Sequence, residues 1–368
     1  LRVQQEHRKQ PSRYDGTCRS LAPDNIRDHE QKGTPYVIRL KIPDTTEVIE
    51  AKDGIHGIVR FDAATLTDAV ILKSDGFPTY HLASVVDDHA QQVTHIIRGE
   101  EWLPSLPLHK ILYEYFKYTI PQFYHLPLIL NSDRSKLSKR QGHVSVEWYL
   151  EQGYLKEALI NYVAFLGWNP GDDREIFSLA DLVEHFDLTQ INKAGAVFSK
   201  DKLDWYNSWY IKNIFAPKPP NELAQALEQF LPTLTVERRI GVFNLFFERI
   251  HNLGELAGLS GFLHHLPVYE PPLLIFKKSS KEKTRSGLAA AERYCQSVEE
   301  PWTAITLELG LKKVTEEHGL SFGDVFWPVR VALSGLTASP SPTGLAAYLG
   351  RSETLTRLEN ARKKLEHA

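Results

Sequence analysis

Apolar and polar positions change their rhythm once along the chain. Between residues 34 and 76 they alternate in short runs, "PYVIRLKIP" (35–43), "GIHGIVRFD" (54–62) and "DAVILKSDG" (68–76), each rich in β-branched residues and bounded by Gly, Pro or Asp. Period-two alternation of this kind predicts strands. A helix-like opening follows at "YHLASVVDDHA", then a strand-like "VTHIIRG" (93–99). In "PSLPLHKILYEYFKY", Leu108, Ile111, Leu112, Tyr115 and Phe116 recur at helical spacing after a Pro-Ser start, which predicts a helix. "YHLPLILN" (124–131) is a continuous apolar run suited to one strand buried on both faces. Strand, helix and strand in that order imply a parallel α/β unit, whose ligands sit beyond the carboxyl ends of the strands.

Beyond residue 145 the period is helical almost throughout, from "LKEALINYVAFLGW" to the final "SETLTRLENARKKLEHA". Breaks are expected at "APKPPN" (216–221) and "KKSSKEKTRSG" (277–287), where Pro or charge interrupts the pattern. The fold class expected is therefore α/β plus all-α, an α/β portion followed by a helical arm.

Composition adds limits. The 368 residues are 42% hydrophobic and 24% charged, an ordinary globular balance. A formal net charge of -3 gives no overall basic field, so any nucleic-acid surface must be a local patch. The two cysteines, Cys18 and Cys295, cannot supply a disulfide framework or a complete zinc site. No apolar run approaches the roughly 20 residues of a membrane span. The chain starts with Leu1 and contains no Met, so its first residue is expected not to be the natural one.

Directly after "YHLPLILN" comes "SKLSKRQG" (135–142), with three cations in five positions and a closing Gly. Lys136 or Lys139 could neutralise charge growing on phosphate oxygens, with Ser and Gly letting the loop close. The Walker spacing G-x-x-x-x-G-K-[S/T] is absent. Taken alone, such a charge run also fits a loop that simply faces water.

Its context resembles the class I aminoacyl-tRNA synthetases, whose second signature, Lys-Met-Ser-Lys-Ser/Arg, stands here as Lys136-Leu137-Ser138-Lys139-Arg140. More narrowly, "YDGTCR" (14–19), "DAVILKSDGFPTYHLASVVDDH" (68–89), "THIIRGEEW" (94–102), "HLPLILNSDRSKLSKRQGHVSVEWY" (125–149), "ALINYVAFLGWNP" (158–170) and "KLDWYNSWYI" (202–211) resemble the bacterial-type glutamyl-tRNA synthetases. The resemblance implies the C-terminal half of a Rossmann-type nucleotide fold with part of the acceptor-end-binding insertion, then a helical stem-contact and anticodon-binding arm. It partitions the chain as 1–72 insertion, 73–115 second half of the catalytic fold, 116–215 signature loop and stem-contact helices, and 216–368 anticodon-binding region with a break near 277–287. It implies glutamate activation by ATP, carried with Mg2+, and transfer of the glutamyl group to tRNA(Glu) by a monomer. By resemblance Lys139 meets the phosphates, framed by Lys136, Ser138 and Arg140; backbone around Ile129 holds adenine and Glu101 lies near ATP. Tyr80 and Arg98 line the glutamate pocket, where Ser84 replaces the more usual Asn. Planar Arg98 is suited to binding one glutamate carboxylate bidentately.

Other residues carry blander readings. His81, His89 and His95 crowd Asp87 and Asp88 but lack the i, i+4 pairing of helical metal ligands, so hydrogen-bonding roles are expected. Cys18 matches a zinc-binding position of some relatives without its partner cysteines, and no structural zinc is expected. "ASPSPTG" (338–344) mimics the family's first catalytic turn, yet no histidine follows it in "LAAYLGRSETL"; a turn before a helix explains it. Trp148, Trp168, Trp205 and Trp209 read as core more readily than as base-stacking platforms, while Lys200, Lys202 and Lys212 are the candidate RNA-phosphate contacts.

The family's His-x-Gly-His signature has no counterpart in the 368 residues. The expectation is a chain shortened at its front, unable by itself to form glutamyl-adenylate where a front-extended form would; pyrophosphate exchange into ATP decides it. A non-catalytic tRNA-binding or regulatory relative is the alternative, against which the retained Lys136, Ser138 and Lys139 argue. The compartment expected is the bacterial cytoplasm, with a mitochondrial or plastid matrix as the alternative.

Overall fold

The computed structural model describes residues 14–44, 47–137, 145–299 and 301–367. Two compact units emerge, one of residues 1–137 with 163–199 and the other of 138–162 with 200–368.

The first unit opens with α1 (Pro23–Gln31), β1 (Ile38–Arg39), β2 (Val48–Asp53), β3 (Gly57–Asp62) and β4 (Val70–Leu72). After them come α2 (Tyr80–Ala90), β5 (His95–Gly99), α3 (Leu106–Phe116), β6 (Gln122–Leu126) and β7 (Ile129–Leu130), with β8 (Ala196–Val197) much later. A four-stranded sheet has the order β3-β2-β6-β5. Strands β2 and β3 form an antiparallel hairpin, and Gly57 at its turn has φ 79, a left-handed conformation that side-chain-bearing residues avoid. Strands β5 and β6 run parallel from His95↔Gln122 to Gly99↔Leu126, and β2 joins β6 at Asp53↔Phe123. The β5-α3-β6 crossover is the α/β unit expected from the sequence. Its core combines Ile49 and Ala51 of β2 with Val85, Leu106, Ile111, Leu112, Tyr113 and Phe123.

The run 124–131 is not one strand. Pro127 offers no N–H to a ladder, and the chain leaves β6 there. It resumes as β7, which pairs with β8 in a separate two-stranded sheet. β6 is also not apolar on both faces, because His125 lies fully buried within it.

The second unit is helical. Its elements are α4 (Val146–Glu151), α5 (Lys156–Ala164), α6 (Lys200–Tyr210), α7 (Pro220–Leu227), α8 (Val236–Phe246) and α9 (Glu255–His264). The rest are α10 (Lys281–Ser297), α11 (Ala304–Glu317), α12 (Phe322–Ser334), α13 (Pro342–Leu349) and α14 (Arg351–Glu366). Polar caps start many of them: Ser280, Thr303 and Ser341 accept the N–H groups of Lys283, Thr306 and Gly344, and Ser321 with Asp324 forms a capping box. Residues 281–287 are the opening turns of α10, so only the stretch before them is irregular. In "ASPSPTG", Ser341 is the cap of α13.

One apolar core runs through this unit from Ile211 to Leu365. Arg357 is buried inside it. Its Nη1 donates to the carbonyls of Phe262 and Leu333, its Nη2 to that of Leu263, and its Nε to Glu353. Those three carbonyls belong to the last turns of α9 and α12, which have no intrahelical partners. One guanidinium therefore satisfies two helix ends and places a cation where both dipoles favour it.

Helices α10 and α12 meet at Gly287, where a Cβ would lie 2.0 Å from the Asp324 carbonyl oxygen. Gly287→Ala gains about 1 kcal/mol of helix propensity, while forcing packed helices apart costs about 1–3 kcal/mol and is expected to prevail. A thermal melt should show a midpoint lower by a few degrees; an unchanged or raised midpoint would mean that the helices part freely.

Candidate functional site

The carboxyl ends of β5 and β6 lie side by side, and Arg98, Tyr80 and Glu101 of the sequence-predicted residues gather there. Arg98 is the penultimate residue of β5, and its register partner on β6 is His125. Tyr80 opens α2, with its ring 4.4 Å from that of Trp102. The Arg98 Nη1 donates to the Tyr80 hydroxyl at 3.1 Å and faces His109 Nδ1 at 3.5 Å. Its Nε donates to His125 Nε2 at 3.0 Å. Its Nη2 is shielded from solvent and has no partner among the described residues.

A guanidinium has five N–H groups. These contacts engage the Nε–H and the Nη1 side and leave both Nη2 hydrogens open. The bidentate fork expected from the sequence is thereby narrowed: an acceptor reaching this edge would find Nη2 open, and would gain a second bond only by sharing Nη1 with Tyr80 or His109.

Two of the rings around Arg98 are held uncharged. Burial, then the Arg98 charge, pushes the fully buried His109 down to about 3, and the same two causes lower His81. Both rings stay neutral near pH 7, and His81 Nδ1 lies 3.1 Å from His109 Nε2. Behind His125 stands Asp53, with both side chains fully buried and a 2.7 Å contact from Nδ1 to Oδ2. Asp53 also accepts the backbone N–H groups of Ile55, His56 and His125. Burial alone would raise the Asp53 carboxyl, but the hydrogen bonds from His125, His56 and Ile55 outweigh it and hold it below the usual carboxylate range.

Across the strand ends, Glu101 pairs with Lys136 at 3.1 Å. Its own backbone N–H, then Lys136, lowers its carboxyl. Gly99 lies beneath that carboxylate, where a Cβ would be 2.1 Å from Glu101 Oε2. Lys136 forms an antiparallel bridge with Leu130, and the Ile129 carbonyl accepts Leu137 N–H at 2.9 Å. The root of the basic loop is thus tied to β7, and Ile129 remains exposed beside it. Ser138, Lys139 and Arg140 lie outside the described residues.

Several expected residues stand elsewhere. The Ser84 hydroxyl donates along α2 to Asp88 at 3.2 Å rather than to the Arg98 cluster. Lys200 is held by Asp204 at 2.6 Å; burial would lower its pKa, yet Asp204 and Tyr154 raise it. Lys202 lies 4.3 Å over the ring of Trp205, which is 45% exposed and so not the core residue expected. Trp168 is core, packed with Phe177 and Leu182. Lys212 is exposed on a π-helical turn, Ile211–Phe215. His89 stacks on Tyr118 and His95 contacts Thr94. Among the described residues no group of three or more His, Cys, Asp or Glu could hold a metal, and no helix is long and apolar enough to cross a membrane.

Sequence reasoning missed Asp53, His109 and His125. The available sign was a histidine inside an apolar run.

The family described as "tRNA synthetases class I (E and Q), catalytic domain" matches residues 1–205, and that described as "Anticodon binding domain" matches residues 222–362. A glutamate-tRNA ligase of Chloroherpeton thalassium is 40% identical over 361 residues, 95% of this chain and 71% of that protein. One of Thermus thermophilus is 37% identical over 366 residues, covering 96% and 75%. The crystal structure of a glutamate tRNA ligase from Elizabethkingia meningosepticum, in complex with its amino acid, superposes with a TM-score of 0.85 at 31% identity, over 99% of this chain and 77% of that one.

Proposed function

We infer that this chain, which belongs to the glutamate-tRNA ligase family of class I synthetases, carries the glutamate side and the lysine-loop side of a site that joins glutamate to ATP and passes the glutamyl group to tRNA(Glu). The observation that carries the reading is Arg98, held at the carboxyl end of β5 with its Nη2 open beside Tyr80. A carboxylate seated on Nη2 makes charge-assisted hydrogen bonds in a shielded place, where they are strongest. Neutral His81 and His109 leave that cation undiluted by other charge.

With glutamate so anchored, one of its carboxylates attacks the α-phosphorus of ATP and pyrophosphate leaves. Placement and charge stabilisation are the protein's contribution. Backbone near Ile129 takes the adenine, and Lys136, Ser138, Lys139 and Arg140 meet the phosphates, whose Mg2+ enters with ATP. Glu101 anchors Lys136 at the loop's root. The helical unit binds the tRNA, with Lys200, Lys202 and Lys212 toward its phosphates. The protein works as a monomer in the bacterial cytoplasm.

Glutamate-dependent exchange of pyrophosphate into ATP, with tRNA(Glu) present, tests this on the 368-residue chain and on the chain joined at its front to a His-x-Gly-His segment. Exchange in the front-extended form, lowered about 10²–10³-fold by Lys139→Ala as for loss of one transition-state charge contact, is the expected result. No exchange in both forms, or exchange driven by another amino acid and not by glutamate, overturns it.

A further inference from the structure

We propose that Asp53 and His125 are positioning residues that aim the Arg98 guanidinium by fixing which ring nitrogen of His125 carries its proton. The proposal rests on the reading of Arg98 as the glutamate-binding arginine and goes beyond it, to residues that touch no substrate.

Sheet register brings the three residues into line. β5 and β6 pair Arg98 with His125, and β2 meets β6 at Asp53↔Phe123. Asp53 is anchored first, by the N–H groups of Ile55, His56 and His125. As an ionised carboxylate it only accepts, so the proton of the His125 ring must sit on Nδ1, facing Asp53 Oδ2 at 2.7 Å. That leaves Nε2 a bare lone pair, 3.0 Å from the Arg98 Nε–H. The opposite tautomer would set two N–H groups against each other and turn the guanidinium away. With Nε held by His125 and Nη1 by Tyr80 and His109, the open Nη2 edge can face only one way. Such an arrangement fixes an orientation before the ligand arrives, which lowers the cost of binding it.

A structural role alone would pack these groups without governing the Arg98 proton, and nuclear magnetic resonance of the 368-residue chain labelled with ¹⁵N-arginine separates the two. The Arg98 Nε–H signal, identified by its loss in Arg98→Lys, should exchange slowly with solvent. In His125→Phe, which keeps the ring shape without an acceptor, its exchange should quicken about 10–100-fold, the range expected for one charge-assisted hydrogen bond. In Asp53→Asn, whose amide can donate to Nδ1 and reverse the tautomer, it should quicken similarly. His125→Gln, which restores an acceptor oxygen, should recover part of the protection. Thermal melts identify variants that fail to fold; if His125→Phe does, Asp53→Asn and His125→Gln decide the matter. Unchanged exchange in the folded variants overturns the proposal, as does equal loss in His125→Gln and Asp53→Asn. Titration with glutamate is read separately on the Arg98 Nη signals of the unaltered chain. A silent titration alongside the expected Nε–H behaviour overturns the glutamate pocket and leaves the positioning relation standing.

Discussion

Arg98→Ala is expected to lower kcat/KM for glutamate about 10²–10³-fold in pyrophosphate exchange by the front-extended form, with KM for ATP little changed. The magnitude follows from what the substitution leaves behind. A glutamate carboxylate brought into the shielded pocket would lose the Arg98 cation, and truncating one partner of a desolvated, hydrogen-bonded charge pair costs about 3–4 kcal/mol here, or roughly two to three decades in rate. The truncation also strands partners already in place: His125 Nε2 and the Tyr80 hydroxyl both lose the Arg98 N–H groups they now accept. Arg98→Lys should recover only part of the loss. An ammonium is a point charge without the planar fork, and it cannot serve His125, Tyr80 and a carboxylate from three edges at once. A variant that keeps kcat/KM within threefold of the unaltered enzyme would remove Arg98 from the pocket.

Arg357→Met is expected to lower the stability of the helical unit by about 3 kcal/mol or more. Methionine matches the length of the arginine stem, so the loss isolates the polar contacts. Three carbonyls, of Phe262, Leu263 and Leu333, would lose the donor that now reaches them, and each unsatisfied buried group costs about 1–3 kcal/mol. Glu353 is half exposed and returns to water, so it adds little. For a unit of this size, a thermal midpoint about 10 °C lower is expected, with Arg357→Lys in between because an ammonium can reach some of the carbonyls. A midpoint within 2 °C of the original for Arg357→Met would show, on this scale, that the two helix ends find other donors.

The helical arm was readable because its information is local. A 3.6-residue period and a polar cap such as Ser280, Thr303 or Ser321 specify a helix wherever it ends up. The strand 124–131 was misread because one proline outweighs the apolar run around it, and the run itself hid a buried histidine. Arg98, Tyr80, Glu101 and Lys136 were reachable through the likeness of their flanking motifs, and the structure sets them in two adjacent pairs. The alignment of Asp53, His125 and Arg98 was not reachable, since it joins positions 72 and 27 apart through strand register. Which residues of β2, β6 and β5 face one another is settled only when these distant strands pair. The pairing of Lys200 with Asp204 is different: their i, i+4 spacing was in plain view and argued against a free phosphate-binding lysine.

The place of Arg357 also sets an order of events during synthesis. Its acceptors Phe262 and Leu263 precede it by 95 and 94 positions, so at a translation rate of about 5–20 residues per second they emerge roughly 5–20 s before the side chain that completes them. Until then the ends of α9 and α12 must be served by water, which keeps that part of the nascent chain open. The polar contacts that tie α9, α12 and α14 together therefore form only after α14 has emerged.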